Sequence, residues 1–328
     1  MRATTYDLRI IARGTGQAVK ALKASIALVL FSISAIFWCT TLFIACLPAL
    51  FISNNDRKSA YIARRHPIVD RWVGGNGRIL RGLDIVDIEV DGSVGLTRGD
   101  WSLVTSNHQT WADIVVLQCA LLPHAPVLKF FMKRELIWVP FIGLACWALQ
   151  FPFMRRYSAA VLDRHPQLRT TDQETTQRAC QRFRQAPTAV LNFVEGTRFT
   201  TAKHRAQNSP YQHLLRPRAG GFGFVIAALG DKLQCIIDAT IIYPGAAPTF
   251  WEFLSGHAPR VTVQLQRLAV PTNLLGGDYA KDEQYRGRIR DWIDTLWLDK
   301  DQRLIAANDR PADDNARRTD NGMTDVSH

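Results

Sequence analysis

A chain of 328 residues, 47% of them hydrophobic, can bury a sizeable core, and once a membrane segment and a tail are set aside it suits one domain. Its formal net charge of +11 calls for an anionic partner, whether a nucleic acid, an anionic bilayer or a phosphorylated substrate; charge alone does not choose among the three. The six cysteines (Cys39, Cys46, Cys119, Cys146, Cys180 and Cys235) have no Cys-x-x-Cys spacing and sit mostly in apolar runs, which argues against a metal or disulfide framework and for reduced, buried thiols.

The first element is a membrane segment. No charged residue stands between Lys23 and Asp56, and Ala24 to Ile52 is rich in Ile, Leu, Val, Phe and Trp. The run exceeds the roughly 20 apolar residues that a spanning helix needs and outruns the about 7–15 of a signal-peptide core, so an uncleaved anchor is expected. Arg2, Arg9, Arg13, Lys20 and Lys23 precede it and Arg57, Lys58, Arg64 and Arg65 follow, which nearly balances the positive-inside rule. Pro48 permits a hairpin that dips into one leaflet; a full crossing stays open beside it.

From about Ile85 the pattern alternates between strand and helix, as in an α/β domain. Ile85 to Val90 is expected as a strand ending at Asp91-Gly92, and Trp101 to Thr105 as a second that delivers the chain to Asn107 and His108. Ala112 to Leu122 reads as a helix stopped by Pro123, Val127 to Met132 as a strand, Thr171 to Gln185 as a polar-faced helix, and Thr188 to Val194 as an apolar strand running into Glu195. Between them, Leu136 to Met154 is uncharged and aromatic, but Pro140 and Gly143 interrupt it, so it reads as interfacial or core chain and not as a second span. Ala219 to Leu229 is expected as a helix, Leu233 to Tyr243 and Arg260 to Val270 as strands, and Asp282 to Leu298 as an amphipathic helix. From about Asn308 the chain is charged and lacks large apolar residues, as a disordered tail does. This divides the chain into an anchor over 1–56, a domain over 57–306 and a tail over 307–328.

Two strand ends carry chemistry. In Asn107-His108-Gln109-Thr110-Trp111-Ala112-Asp113, a carboxylate five residues after an imidazole, in the first turn of the following helix, can hold one ring nitrogen while the other takes a proton from a hydroxyl. In Phe193-Val194-Glu195-Gly196-Thr197-Arg198, the glycine can turn the chain and let Arg198 present its planar fork to phosphate oxygens, while Glu195 holds either Arg198 or a substrate hydroxyl. Both motifs fall where an α/β sheet collects ligands. Arg155 and Arg156, after the apolar run Phe151 to Met154, read equally as an anion site and as an interfacial charge anchor.

These two motifs, in this order and beside a long apolar segment, resemble the glycerolipid acyltransferase family, which includes lysophosphatidic acid acyltransferases. The resemblance covers roughly Trp101 to Pro244 and includes Lys133-Arg134-Glu135-Leu136 with Pro140 and Gly143, and Leu214 to Phe222. It implies an α/β fold with a mixed sheet flanked by helices and an N-terminal membrane-embedded helical segment. It assigns His108 as catalytic base and Asp113 as its orienting partner. It gives Glu195, Gly196, Thr197, Arg198, Arg155 and Lys133 to acceptor binding, with Arg155 matching better in spacing than Arg156. Where a proline commonly opens the family's fourth block, this chain has Ile237-Asp238-Ala239-Thr240-Ile241-Ile242-Tyr243-Pro244.

The activity implied is transfer of a fatty acyl group from acyl-CoA or acyl carrier protein to 1-acyl-glycerol 3-phosphate, giving phosphatidic acid. The runners-up are another lysophospholipid or glycerol 3-phosphate as acceptor, and a non-catalytic membrane scaffold. No metal or organic cofactor is expected, because a thioester is already activated. The expected setting is a bacterial inner membrane with the active site facing the cytoplasm. Against other classes, the chain has no Gly-x-Ser-x-Gly elbow, no P-loop and no recognised nucleic-acid-binding motif.

Overall fold

The computed structural model describes residues 3–122, 125–154, 164 and 167–309. Six strands form a mixed sheet: β1 (Asp87–Asp91), β2 (Trp101–Ser106), β3 (Leu128–Phe130), β6 (Ala189–Phe193), β7 (Leu233–Ile242) and β8 (Arg260–Leu268), in the order β1-β8-β7-β2-β6-β3. Strands β3, β6, β2 and β7 are mutually parallel, β8 runs antiparallel to β7, and β1 runs parallel to β8. A separate two-stranded pair joins β4 (Met132–Lys133) to β5 (Phe153–Met154), so the expected strand from Val127 to Met132 is broken into two pieces that serve different sheets.

Because successive strand residues point to opposite faces, the sheet feeds two cores. Val104, Leu191 and Ile237 pack on one face with Val116 and Leu117 of helix α4 (Ala112–Leu121). Leu103, Val190 and Ile236 pack on the other with Val225 and Ile226 of α8 (Ala219–Leu229) and with Tyr285, Ile289, Ile293 and Trp297 of the C-terminal helix α10 (Glu283–Asn308). Helix α10 runs ten residues beyond the expected Leu298, with Lys300, Asp301 and Leu304 buried on it. Its reach to Asn308 carries the folded domain just past the expected boundary at 306. Of the expected tail over 307–328, residues 310–328 lie outside the described residues.

The N-terminal run is a single helix, α1 (Ala3–Cys46), followed by a 3-10 turn at Leu47–Phe51. The stretch Gly16–Phe51 is long and apolar enough to cross a membrane. One side of α1 is packed: Ala24 and Ala27 join the core that contains Leu80 and Ile85, and Cys39, Leu42 and Cys46 join a third cluster with Val69 and Val73. On the other side Val29, Ile33, Phe37 and Ile44 stay exposed at helical spacing.

The chain turns after Pro48 into α2 (Asn55–Ala63) and α3 (His66–Gly82), and α3 packs against α1, where Ser34 Oγ donates to Asn76 Oδ1 at 2.9 Å. Neither helix was expected from the sequence, although Asn54 caps α2 through the Arg57 amide and Pro67 opens α3. Leu136 to Met154 forms no continuous span. It winds through a 3-10 turn (Arg134–Trp138), α5 (Ile142–Ala148) and β5, and α5 lies against α1. The remaining helices are α6 (Gln167–Arg182), α7 (Thr201–Ala206) and α9 (Phe250–Leu254).

All six cysteines are free, with Cys119 and Cys146 partly and the other four fully buried.

Candidate active site

Strands β2 and β6 are neighbours, yet helices that follow them in the chain lie on opposite faces of the sheet. Helix α4, after β2, covers one core and α8, between β6 and β7, covers the other. The carboxyl ends of such neighbouring strands are where an α/β sheet collects ligands, and both motifs sit there.

Asn107 starts the departure from β2. Its side-chain amide pairs with Ile241 of β7 in both directions, and the main chain is thereby released to turn out of the sheet. His108 Nδ1 lies 2.8 Å from Asp113 Oδ2. A carboxylate only accepts, so the ring carries its proton on Nδ1 and leaves the Nε2 lone pair available. Nε2 has no hydrogen bond to any described residue, and the side chain is 14% exposed. The ring also stacks on Phe193, the last residue of β6, with centroids 4.0 Å apart and planes 16° apart.

Asp113 is fully buried. Besides the imidazole, its Oδ2 accepts the amides of Gln109 at 2.6 Å and Thr110 at 2.9 Å, while Oδ1 accepts the Tyr243 hydroxyl at 2.8 Å. Those two amides therefore orient the carboxylate and are spent on it. The sequence did not point to Tyr243; what could have found it is its place at the end of the strand paired with β2.

Glu195 differs from expectation. It is fully buried, and its two oxygens accept the amides of His108 at 2.9 Å and Leu215 at 3.0 Å; it holds the His108 loop from beneath and makes no hydrogen bond or ion pair with Arg198. Burial pushes its carboxyl up to about 7, the two amides pulling the other way. Phe199 N donates to the His108 carbonyl at 2.7 Å, so the two motif loops are stitched on both sides of the histidine.

Gly196 turns the chain at φ +68°, a left-handed conformation that side chains resist, and a Cβ there would also stand 3.0 Å from Arg218 Cδ. Thr197 Oγ1 and the Arg198 carbonyl both accept from Lys203 Nζ, at 2.8 and 2.9 Å. The Arg198 guanidinium lies 4.6 Å from the ring centroid of Trp111, which is half exposed within the His108 loop. Arg198 is thus brought to the histidine loop, with Lys203 behind it; Trp111 is the contact the sequence reading missed.

Lys133 is exposed on β4, 3.7 Å from Glu135, and pairs in register with Met154, so the strand that leads to Arg155 runs beside it. Arg155 itself lies outside the described residues.

Beneath the site Asp238 of β7 accepts from Thr105 Oγ1 at 2.8 Å and is paired with Lys300 at 2.7 Å and with Arg303, both from α10. Burial pushes the Asp238 carboxyl up, and the two cations together outweigh it, holding it below the usual carboxylate range.

Residues 87–246 match a family model described as acyltransferase. The chain is 29% identical over 273 residues to a lysocardiolipin acyltransferase of Danio rerio, covering 79% of this chain and 64% of that protein. It is 26% identical over 184 residues to a 1-acyl-sn-glycerol-3-phosphate acyltransferase gamma of Mus musculus, covering 53% and 44%. The crystal structure of a 1-acyl-sn-glycerophosphate (LPA) acyltransferase from Thermotoga maritima overlaps 86% of this chain and 97% of that one at a TM-score of 0.49 and 13% identity. The family match, with the His108–Asp113 and Glu195–Arg198 motifs that lie within it, and these relatives support a place for the chain in the glycerolipid acyltransferase family.

Proposed function

We propose that this chain is a membrane-bound O-acyltransferase that moves a fatty acyl group from acyl-CoA or acyl carrier protein to the free hydroxyl of 1-acyl-glycerol 3-phosphate, giving phosphatidic acid. The observation that carries the reading is the buried Asp113 carboxylate on His108 Nδ1, with Nε2 left without a partner among the described residues. Nε2 takes the acceptor's hydroxyl proton as the oxygen attacks the thioester carbonyl. A C–O bond forms, the C–S bond breaks, and the imidazolium returns its proton to the leaving thiolate. The thioester supplies the activation, so no metal or organic cofactor enters the reaction.

Arg198 and Lys133, with Arg155, hold the acceptor phosphate; Thr197 and Gly196 shape that turn, and Glu195 contributes from below by fixing the loop amide of His108. Residues 1–56 anchor the chain, and the residues from 57 through the C-terminal helix form the catalytic domain. The anchor sits in a bacterial inner membrane with the site on the cytoplasmic side, where thioester donors are found. The exposed Leu47, Leu50 and Phe51 after α1, with Trp138 and Trp147 around α5, rest at the lipid surface.

A second acceptor is favoured by a specific observation. The similarity to a lysocardiolipin acyltransferase extends over 79% of the chain, against 53% for the 1-acyl-sn-glycerol-3-phosphate enzyme from mouse. Another lysophospholipid would use the same base and the same phosphate-binding cations.

Membranes carrying the full chain, incubated with labelled acyl-CoA or acyl carrier protein and with lysophosphatidic acid, lysocardiolipin or glycerol 3-phosphate, decide by product mass. His108→Ala should abolish transfer while leaving the protein in the membrane, and Asp113→Asn should cost about 10²–10⁴-fold. Near-normal turnover by His108→Ala would reduce the chain to a scaffold or give it a different mechanism.

A further inference from the structure

The segment Ile237 to Pro244 departs from its family's pattern, and it meets β2 and the loop that follows it three times. Asp238 takes the Thr105 hydroxyl, the Ile241 main chain takes both ends of the Asn107 amide, and Tyr243 donates to Asp113. The last contact bears on the reacting group. Three donors converge on Asp113 Oδ2, but Tyr243 is the only described donor to Oδ1, and both side chains are shut off from solvent: Asp113 is 0% and Tyr243 3% exposed.

We propose that Tyr243 is a positioning residue for acyl transfer, its hydroxyl fixing the Asp113 carboxylate and, through it, the orientation and basicity of His108. A donor on Oδ1 draws charge away from Oδ2, and this weakens the carboxylate's hold on the Nδ1 proton and lowers the proton affinity of Nε2. Burial and the neighbouring Asp113 charge hold the phenol far above its usual range, so it stays a neutral donor across working pH. The other ionisable groups bearing on the dyad are Glu195, at the end of β6 below the histidine amide, and Lys300, which acts on Glu195 from α10. Neither reaches Oδ1. The inference rests on His108 being the base.

The test uses the full chain, solubilised, with kcat and both KM values measured from pH 5 to 9. Tyr243→Phe keeps the ring and removes the donor. The expected result is a fall in kcat of about tenfold or more, both KM values within about twofold, and the acid limb of the kcat profile moved to higher pH. Difluorotyrosine placed at 243 keeps the shape and strengthens the donor, so it should move the acid limb the opposite way; it decides the matter if Tyr243→Phe fails to fold. Tyr243→Phe added to Asp113→Asn should cost no further activity. A folded Tyr243→Phe protein with an unmoved acid limb, whatever its kcat, or a difluorotyrosine protein with no opposite shift, overturns the proposal. If His108→Ala is inactive and Tyr243→Phe behaves as wild type, this inference alone fails; an active His108→Ala removes the function on which it rests.

Discussion

The side-chain amide of Asn107 pairs with the main chain of Ile241 in both directions, Nδ2 donating to the carbonyl and Oδ1 accepting from the amide, each at 2.9 Å. A side chain thereby stands in for one rung of the β2–β7 ladder at the residue where the main chain must leave the sheet. His108 can then swing out over Phe193, while the buried edge of β7 keeps its hydrogen bonds. The same strand supplies Asp238 below and Tyr243 above, so the placement of the dyad is set by β7 as much as by its own loop.

The Arg198 side chain meets no carboxylate among the described residues and rests over Trp111, which leaves its fork available to an anion. Arg198→Ala should raise the acceptor KM by about 10- to 100-fold with the donor KM little changed, as expected when a charge-assisted contact to one substrate is lost. Steady-state kinetics with each substrate varied separately provides the check. Equal weakening toward both would make the arginine a shared structural element. Lys133→Ala should act in the same direction.

Glu195 predicts a pH signature in stability. Its carboxyl is raised from 4.5 to about 7 in the folded state, so folding is favoured where it is protonated; that contribution is fully present below about pH 4.5 and is lost as pH rises through 7. The span corresponds to something on the order of 3 kcal/mol. His66, depressed to about 4 chiefly by burial, contributes with the opposite sign: its stabilisation is present above 6.5 and fades as pH falls toward 4. Comparing wild type with Glu195→Gln cancels the histidine. Unfolding midpoints of the two proteins should diverge steadily between pH 4.5 and 7.5; parallel curves would mean that the carboxyl titrates normally.

Among the described residues Asp238 is the sole carboxylate paired with the buried Lys300, whose Nζ also donates to the Ala239 carbonyl and Thr240 Oγ1. Asp238→Ala strands that ammonium and frees Arg303 and Thr105, and should destabilise the fold by about 3–5 kcal/mol, read as a fall in thermal midpoint. Lys300→Met with Asp238→Leu, which removes both charges together, should recover most of the loss. A single variant as stable as wild type would show that the ammonium finds another route to water.

Strand-length apolar runs with turn residues beside them made β1, β2, β6, β7, β8 and α8 legible from sequence, as did the ends carrying His108 and Glu195. Helices α2 and α3 were not, because Arg64, Arg65, Arg71, Arg78 and Arg81 dilute the apolar stripe of Val69, Val73 and Leu80 that faces α1. The roles of Tyr243 and Trp111 were hidden for another reason. Each acts across a strand pairing or a loop, and local sequence does not encode register between segments some 130 residues apart, such as Asp113 and Tyr243. The sequence points Glu195 at Arg198 or a substrate hydroxyl, because its motif holds a glycine and an arginine; only the fold turns its carboxylate inward, onto two main-chain amides.

The exposed stripe Val29, Ile33, Phe37 and Ile44 on α1 sets the last expectation. Each such side chain gains about 1.5–3 kcal/mol on entering an apolar phase, against roughly 1 kcal/mol for each basic residue held at an anionic surface and screened by salt. The full chain should therefore stay with membranes through high-salt and alkaline washing. Deleting α1 is a poor test of this, because Ala24 and Ala27 belong to the same core as Leu80 and Ile85 and their loss would loosen the domain itself. Val29→Lys with Ile33→Lys changes only the exposed side. That protein should wash off at alkaline pH while keeping its unfolding midpoint in detergent within a few degrees of wild type. Retention as firm as that of the unaltered chain would move the anchor to the surface formed by Trp138 and Trp147.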